Sequence, residues 1–175
     1  MKLNKIMMAA VFAFGTISGA QAADQGHGKV TFTGSIIDAP CSIDPNSVDQ
    51  TVDLGAVSNV SLLKGGNSAP KPFDIHLEKC SLETAKLVTT TFDGAPGKDG
   101  LLGMTGDAKG ASIAITDGSN NVIKLGQPTS ENTISAGSTE TTLSFSAYLK
   151  GDGGEAETII PGKFQSVANF ILNYK

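Results

Sequence analysis

Two segments of the chain alternate between apolar or small residues and their more polar neighbours, a pattern of period two that predicts a β-strand with one buried face. In the first segment the apolar or small positions are Gly28, Val30, Phe32, Gly34 and Ile36. In the second segment they are Phe164, Ser166, Ala168, Phe170, Leu172 and Tyr174. No turn and no partner strand follow the second segment. We therefore expect one terminus to lack a strand that the other terminus of a neighbouring copy supplies.

The same criteria divide the rest of the chain into short strands separated by turn residues such as Asp117-Gly118-Ser119-Asn120. Strands are predicted near residues 29–37, 39–44, 51–55, 71–79, 86–92, 110–116, 121–125, 139–149 and 163–174. One short helix fits within residues 57–64. Short strands with regularly spaced turns favour an all-β sandwich of the immunoglobulin type. We find no internal repeat and no second domain.

Residues 1–22 have the composition of a signal peptide. Lys2 and Lys5 precede an apolar run over residues 6–14, and Ala20-Gln21-Ala22 matches the small-x-small cleavage rule, so cleavage is predicted between Ala22 and Ala23. The apolar run is too short to span a bilayer, which argues against a membrane anchor. We expect export, and the polar residues 23–28 should be disordered in an isolated copy.

The charge of the exported part argues against a nucleic-acid or polybasic membrane interface. Removal of Lys2 and Lys5 leaves eleven basic residues against seventeen acidic ones, a net charge of −6. The chain contains no arginine, the residue that nucleic-acid interfaces use most for forked contacts. We therefore predict neither a nucleic-acid partner nor direct membrane insertion.

Cys41 and Cys80 are the two cysteines of the sequence, and both lie in the exported part. An even number of cysteines in an exported chain predicts a disulfide. It would close a loop of about 40 residues, for which the chain-entropy model gives about 4 kcal/mol of stabilisation. A metal site is disfavoured because no further soft ligand lies nearby and His27 and His76 are isolated.

Catalytic patterns are missing from the sequence. There is no Gly-x-Ser-x-Gly elbow, no phosphate-loop spacing and no histidine cluster. The oxygen-rich stretch of residues 117–121 lacks the spacing and the closing glutamate of a calcium loop, so it is interpreted as a hairpin turn. We predict no enzyme activity, no cofactor and no metal.

Both ends of the exported chain resemble one known family. The string that runs from Gly26 through Ala39-Pro40-Cys41 is similar to the mature N-terminus of major subunits of chaperone–usher fimbriae, most closely those of P-pilus rods and mannose-resistant Proteus-like fimbriae. The C-terminal segment resembles the pilin signature, which has a glycine fourteenth from the end and a penultimate tyrosine, the positions of Gly162 and Tyr174. Ser166 departs from this signature, which usually has a small apolar residue there.

The resemblance implies an immunoglobulin-like sandwich that lacks its last strand and is completed by donor-strand exchange. Residues 23–37 would be the donor extension and residues 38–175 the pilin domain. A periplasmic chaperone would fill the gap first, and at the outer-membrane usher the extension of the next subunit would replace it. The implied acceptor groove and C-terminal signature comprise Gly162, Phe164, Ala168, Phe170, Leu172, Tyr174 and Lys175. In the family, basic residues of the chaperone hold the terminal carboxylate.

The implied function is that of a structural subunit that polymerises head to tail into a surface fimbria, together with other fimbrial subunits, and supports adhesion and biofilm formation. Two alternatives stay open: a minor adaptor of the same fimbria, and a self-complete periplasmic or secreted binding module. A terminator is disfavoured because the donor pattern is present, and a tip adhesin because 153 mature residues leave no room for a lectin domain.

Overall fold

The computed structural model describes residues 27–81, 86–135, 138–153 and 158–175. The predicted signal peptide and its cleavage site lie outside these residues. The chain divides into two units, residues 1–36 and 37–175. In residues 27–36, the described part of the first unit, the backbone forms no helix or strand and every side chain is exposed.

The second unit consists mainly of β-strands. Its strands are β1 Ser42–Ile43, β2 Lys71–Glu78, β3 Leu87–Gly94, β4 Thr105–Gly106, β5 Ala111–Asp117, β6 Val122–Ile123, β7 Asn132–Thr133, β8 Glu140–Gly151, β9 Phe164–Gln165 and β10 Ala168–Tyr174. They form a five-stranded sheet in the order β1-β2-β8-β5-β6, a three-stranded sheet in the order β10-β3-β7 and the pair β4-β9. Every pairing between these strands is antiparallel.

The core lies between the five-stranded and three-stranded sheets. Phe73 of β2 stacks on Phe145 of β8 with ring centroids 5.5 Å apart. Phe92 of β3 meets Phe145 edge to face at 5.2 Å, and it also lies 6.4 Å from Phe170 of β10. Such aromatic pairs add about 0.5–1.5 kcal/mol each beyond the area they bury. This aromatic cluster therefore joins the two sheets, and Phe170 of β10 is the ring at its edge.

Two short helices connect strands of the larger sheet. The helix α1, Pro45–Val48, begins after Asp44, whose Oδ1 accepts a hydrogen bond from the Asn46 N–H at 2.8 Å, and Pro45 occupies its first turn. The second helix, α2, is Asn59–Leu62 and continues into the 3₁₀ turn Leu63–Gly65. It lies directly on the end of β8, because a Cβ at Gly151 would stand only 1.8 Å from the Leu62 carbonyl oxygen.

The β5–β6 hairpin is held by the carboxylate of Asp117, which is 8% exposed. Burial by itself would raise the pKa of Asp117. Hydrogen bonds from the Asn121 side chain and from the N–H groups of Asn121 and Ser119 outweigh burial and lower the pKa. Asn120 supplies the left-handed residue of the turn with φ 63°, a conformation that asparagine tolerates well.

We expect Asp117→Asn to lower the free energy of unfolding at pH 7 by about 1–3 kcal/mol, because the acceptor of three hydrogen bonds loses its charge. A lowered native pKa stabilises the fold above the unfolded-state pKa, and this contribution is lost as the pH falls through the native value. Urea unfolding at pH 7 and at pH 2 checks this, with the exposed Asp93→Asn as control. A destabilisation that is equally large at both pH values would contradict it.

The predicted strands agree with the structure where a partner strand is present. The predictions at residues 71–79, 86–92, 110–116 and 139–149 are confirmed by β2, β3, β5 and β8, and the predicted helix by α2. The strands predicted at residues 29–37 and 51–55 are not formed in a single copy, because neither segment has a ladder partner among the residues that the structure describes. None of the helices formed by the described residues is long and apolar enough to cross a membrane.

The predicted strand over residues 163–174 is interrupted. Residues 164–165 pair with β4 and residues 168–174 pair with β3, so the chain changes sheets at Ser166 and Val167. The Ser166 hydroxyl donates a hydrogen bond of 2.6 Å to the Gly103 carbonyl oxygen. This contact fastens the crossover to the turn after β3, and it gives a physical role to the residue that departs from the pilin signature.

Candidate strand-acceptor groove and donor segment

The predicted donor residues lie in the segment without secondary structure. The exposed fractions of Val30, Phe32 and Ile36 are 74%, 90% and 103%. A Cβ built at Gly34 would have no atom within 4 Å, and the φ angle of Gly34 lies outside the left-handed region. Among the described residues of a single copy, none requires a glycine there or buries Val30, Phe32 or Ile36. Exposed, unpaired apolar strands are a known hazard for association.

Strand β10 is an edge of the three-stranded sheet, where β3 is its only partner among the described residues. Its outward residues Asn169, Ile171 and Asn173 are exposed. Its inward residues pack against the core but are only half-buried, although they lie on the core-facing side of the sheet, where a complete sandwich would cover them. These inward residues are Ala168, Phe170, Leu172 and Tyr174.

Residues 51–57 form a second segment with apolar side chains that pack against the core but are only half-buried. Leu54 and Val57 are half-buried and pack against the same core cluster as β10. Gly55 has φ 71°, and its N–H donates to Asp53 Oδ1, which kinks the segment between the two apolar residues. Apart from this contact, the backbone N–H and C=O groups of residues 51–57 make no hydrogen bond to the described residues. In a complete fold, the backbone N–H and C=O groups beside a core are normally hydrogen-bonded. The unpaired groups of residues 51–57 therefore indicate an unfilled ladder position.

The second unit thus has the open ladder positions that one additional strand could occupy. The free edge of β10 and the unpaired segment 51–57 both border one hydrophobic core, and both contribute side chains that are incompletely covered. Burial raises the pKa of the Tyr174 phenol, since the charged form would lose its hydration there. Sequence reasoning identified the β10 wall. It predicted a strand at residues 51–55 from the Val52-Asp53-Leu54 alternation but did not assign that segment to the acceptor groove.

The remaining residues of the predicted C-terminal signature lie outside β10. Phe164 belongs to β9 and packs against the core from there. Lys175 follows β10: its N–H and carbonyl oxygen exchange hydrogen bonds with Leu87, and its Nζ lies 2.9 Å from Glu131 Oε1. Gly162 packs against the loop after β4, where an added Cβ would stand 2.7 Å from the Ala108 nitrogen. The lack of a side chain at Gly162 therefore permits close backbone packing beside β9.

We expect Gly162→Ala to lower the free energy of unfolding by about 1–3 kcal/mol, because the added methyl group meets backbone that cannot yield easily. Guanidinium unfolding of the variant and the parent measures this. Gly118→Ala is the matched control, since the nearest atom to its added Cβ would be 3.5 Å away. Equal losses in the two variants would contradict the packing role of Gly162.

The predicted disulfide is present. Cys41 and Cys80 are bonded across 39 positions of sequence and join the start of β1 to the end of β2. Cys41 is buried in the core at 4% exposure. Within the described ranges, no three histidine, cysteine, aspartate or glutamate side chains are grouped as metal ligands.

The architecture defines a class: a β-sandwich with one unfilled strand position and a separate segment that has the pattern of a strand. The family described as "Fimbrial protein" matches residues 30–175. Over their full lengths, the chain is 60% identical to "Fimbria A protein" of Serratia marcescens and 45% identical to "Major MR/P fimbria protein" of Proteus mirabilis. The chain therefore belongs to the fimbrial protein family.

Solved structures agree with this assignment. The P pilus rod subunit PapA superposes with a TM-score of 0.69 at 28% identity, covering 78% of this chain and all of that one. A subunit of a chaperone–usher pilus, from a study of rod uncoiling, superposes with a TM-score of 0.70 at 33% identity and covers 86% of this chain and 97% of its own. The predicted immunoglobulin-like class of fold is thereby confirmed.

Proposed function

We propose that this chain is the repeating subunit of a fimbrial rod, and that the rod grows when residues 28–36 of one copy fill the groove between residues 51–57 and β10 of another. One observation carries this proposal: a copy displays the apolar face of a strand that it does not bury, Phe32 being 90% exposed, and leaves a strand position unfilled in its sandwich. An extended segment added to a free edge gains affinity from main-chain hydrogen bonds and register from alternate side chains.

The geometry of such contacts leads to a fibre. The donor segment and the acceptor groove are different surfaces, so the interface is head to tail and each added copy offers a new free end. Because the added strand completes a hydrophobic core, its release would require partial unfolding of the acceptor. The resistance of the rod to dissociation would therefore be largely kinetic.

The subunit is exported through the periplasm and assembled on the cell surface as a fimbria, with other copies of itself and with other fimbrial subunits as partners. We propose residues 1–22 as the signal peptide, residues 23–37 as the donor extension and residues 38–175 as the pilin domain. In the periplasm a chaperone would occupy the groove, and the usher would be the place of exchange. In the assembled rod the protein supports adhesion and biofilm formation.

We further propose that the role of the chain is structural and not catalytic. The family to which it belongs is described as a fimbrial protein family. The apolar residues of the groove offer contact area and backbone hydrogen bonds, and they supply no group that could act as a nucleophile or a general base.

Immunogold electron microscopy of cells that carry fibres tests the role in the rod. An antibody against this chain is expected to label the whole shaft, whereas an adaptor would be labelled only near the tips. In the strain that lacks the gene, the shaft should disappear and return on complementation. Intact shafts in that strain would overturn the proposal. A stable, well-dispersed purified monomer would instead favour the self-complete binding module.

A further inference from the structure

Met104 is the one methionine that remains when the predicted signal peptide is removed, because Met1, Met7 and Met8 lie within residues 1–22. Its side chain is half-buried and packs against the hydrophobic core. The unbranched thioether suits such a site, since its rotatable bonds let it fill gaps that a stiffer side chain would leave. The thioether is also a group that oxidants convert to the sulfoxide.

Met104 also forms part of the wall of a cavity of about 220 Å³, which lies between residues 96–104, residues 108–112 and Asp152. A cavity needs only about 10–15 Å³ of such space to hold one water molecule. A small polar oxidant such as hydrogen peroxide therefore fits inside it. The side chain of Met104 can be reached from this cavity, whereas a fully buried core side chain has no such access.

Polar groups form another part of the cavity wall. The Ser112 hydroxyl donates a hydrogen bond of 2.8 Å to Asp152 Oδ1 and accepts one of 3.0 Å from the Lys98 N–H. The ammonium groups of Lys98 and Lys109 donate to the carbonyl oxygens of Asp152 and Gly106. Because an ammonium group has three N–H donors, both lysines retain donors for a further oxygen atom in the cavity.

The backbone on both sides of Met104 holds the strand pair β4–β9 in place. The Gly103 carbonyl oxygen accepts the hydrogen bond from the Ser166 hydroxyl. The Thr105 hydroxyl donates to the Gln165 carbonyl oxygen at 3.0 Å, and these two residues are also register partners. Since this crossover leads directly into β10, a change in the packing of Met104 would be transmitted to the start of that strand.

We propose that Met104 is an oxidation site through which peroxides outside the cell weaken this fold. The O–O bond of hydrogen peroxide breaks and an S–O bond forms. Sulfur loses two electrons, and the second peroxide oxygen leaves as water. The sulfoxide is polar, and its oxygen would be costly to keep in the core without a partner. The side chain therefore turns into the cavity, where Lys98 and Lys109 bind the oxygen, and the core loses its contact beside β4.

Peroxide treatment of the folded subunit, with a peptide of residues 28–37 in its groove, tests the site. We expect mass spectrometry to find one added oxygen atom on Met104 and calorimetry to find a melting temperature lower by about 3–10 °C. Met104→Leu, which keeps the apolar volume, should be unaffected by the treatment. Met104→Gln should lower the melting temperature without any oxidant. An unoxidised Met104, or oxidation without a fall in melting temperature, would overturn the proposal.

Methionines moved to other positions in the Met104→Leu background separate access from consequence. Leu143 of β8 is 2% exposed in the core, so L143M is expected to resist peroxide. Val60 of α2 is 68% exposed, so V60M should be oxidised with no fall in melting temperature. If L143M is oxidised as fast as Met104, the cavity gives no special access. If oxidised V60M loses as much stability as oxidised Met104, the position of Met104 is not the cause. Either result contradicts the proposal.

Replacing both Lys98 and Lys109 with leucine tests where the sulfoxide oxygen goes. The fall in melting temperature on oxidation should be larger in this double variant than in the parent, because the oxygen then lacks a donor in the cavity. An equal fall would overturn the movement of the side chain into the cavity. This inference does not depend on the role in the rod. A subunit that folds and melts normally without the peptide would contradict the open groove, yet Met104 in it should be oxidised with the same effect.

Discussion

Replacing Phe32 with aspartate is expected to abolish fibre growth while the acceptor domain folds normally. Filling the groove would bury a ring that is 90% exposed in a single copy, which contributes about 1.5–3 kcal/mol. An aspartate in that position would also have to be desolvated without a partner, at a cost of several kcal/mol more. The loss of affinity therefore exceeds about 1,000-fold. Electron microscopy of cells and in vitro polymerisation of the purified subunit measure it.

The neighbouring position provides the control for this variant. Thr33→Asp adds the same charge to the other face of the donor strand, where it stays in water, and is expected to assemble. Phe32→Leu retains most of the buried apolar area and should assemble at a reduced rate. The chaperone-bound subunit should form in all three variants, since the substitutions lie outside the acceptor groove, and it should accumulate in Phe32→Asp, which cannot assemble. Normal fibres from Phe32→Asp would show that residues 28–36 are not the donor.

Removing the disulfide with Cys41→Ala and Cys80→Ala is expected to lower the free energy of unfolding by about 4 kcal/mol. The bond spans 39 positions, so its loss returns considerable conformational entropy to the unfolded chain. A sandwich with an unfilled strand position has little stability in reserve. We expect the melting temperature of the subunit bound to a peptide of residues 28–37 to fall by about 10–20 °C. Calorimetry and guanidinium unfolding of that complex measure both quantities.

Chemical reduction of the parent protein should reproduce the effect of the double substitution. Cys80→Ala alone leaves the Cys41 thiol in a well-packed site at 4% exposure, and it should cost about as much as the double variant, since either change opens the loop. A loss of less than about 1 kcal/mol in the double variant would mean that packing around Cys41 and hydrogen bonds at the start of β1 hold this region without the bond.

Much of the sandwich could be predicted from local patterns. The strands β2, β3, β5 and β8 follow from their flanking turn residues. Alternation adds to this in β8, where the inward set, with Leu143 and Phe145, is the buried one. The half-buried face of β10 follows from the same period of two. The predictions for β8 and β10 succeed because a strand with one buried face leaves its period of two in the sequence. Strand β5 has no such period, since six successive residues of it are buried.

Other features could not be predicted because they depend on contacts between distant segments. The crossover at Ser166 requires the Gly103 carbonyl oxygen, 63 positions away. The helix α1 lies outside the predicted elements, and it is held in place by Ser47, whose hydroxyl accepts a hydrogen bond from the His76 N–H. The close packing of Gly162 depends on Ala108. A local sequence pattern does not show which distant segment of backbone will pack against a given residue in the folded chain.

The sequence by itself determined the strand periods, the cysteine pair and the two terminal segments that characterise the fimbrial family, because residue type and spacing set local conformation and burial. Only the tertiary structure decided that residues 51–57 form a second unpaired wall of the core, that β10 has a free edge, and that Glu131 stands beside Lys175. These features arise from where separate strands come together in space, and that arrangement is set by packing of the whole core.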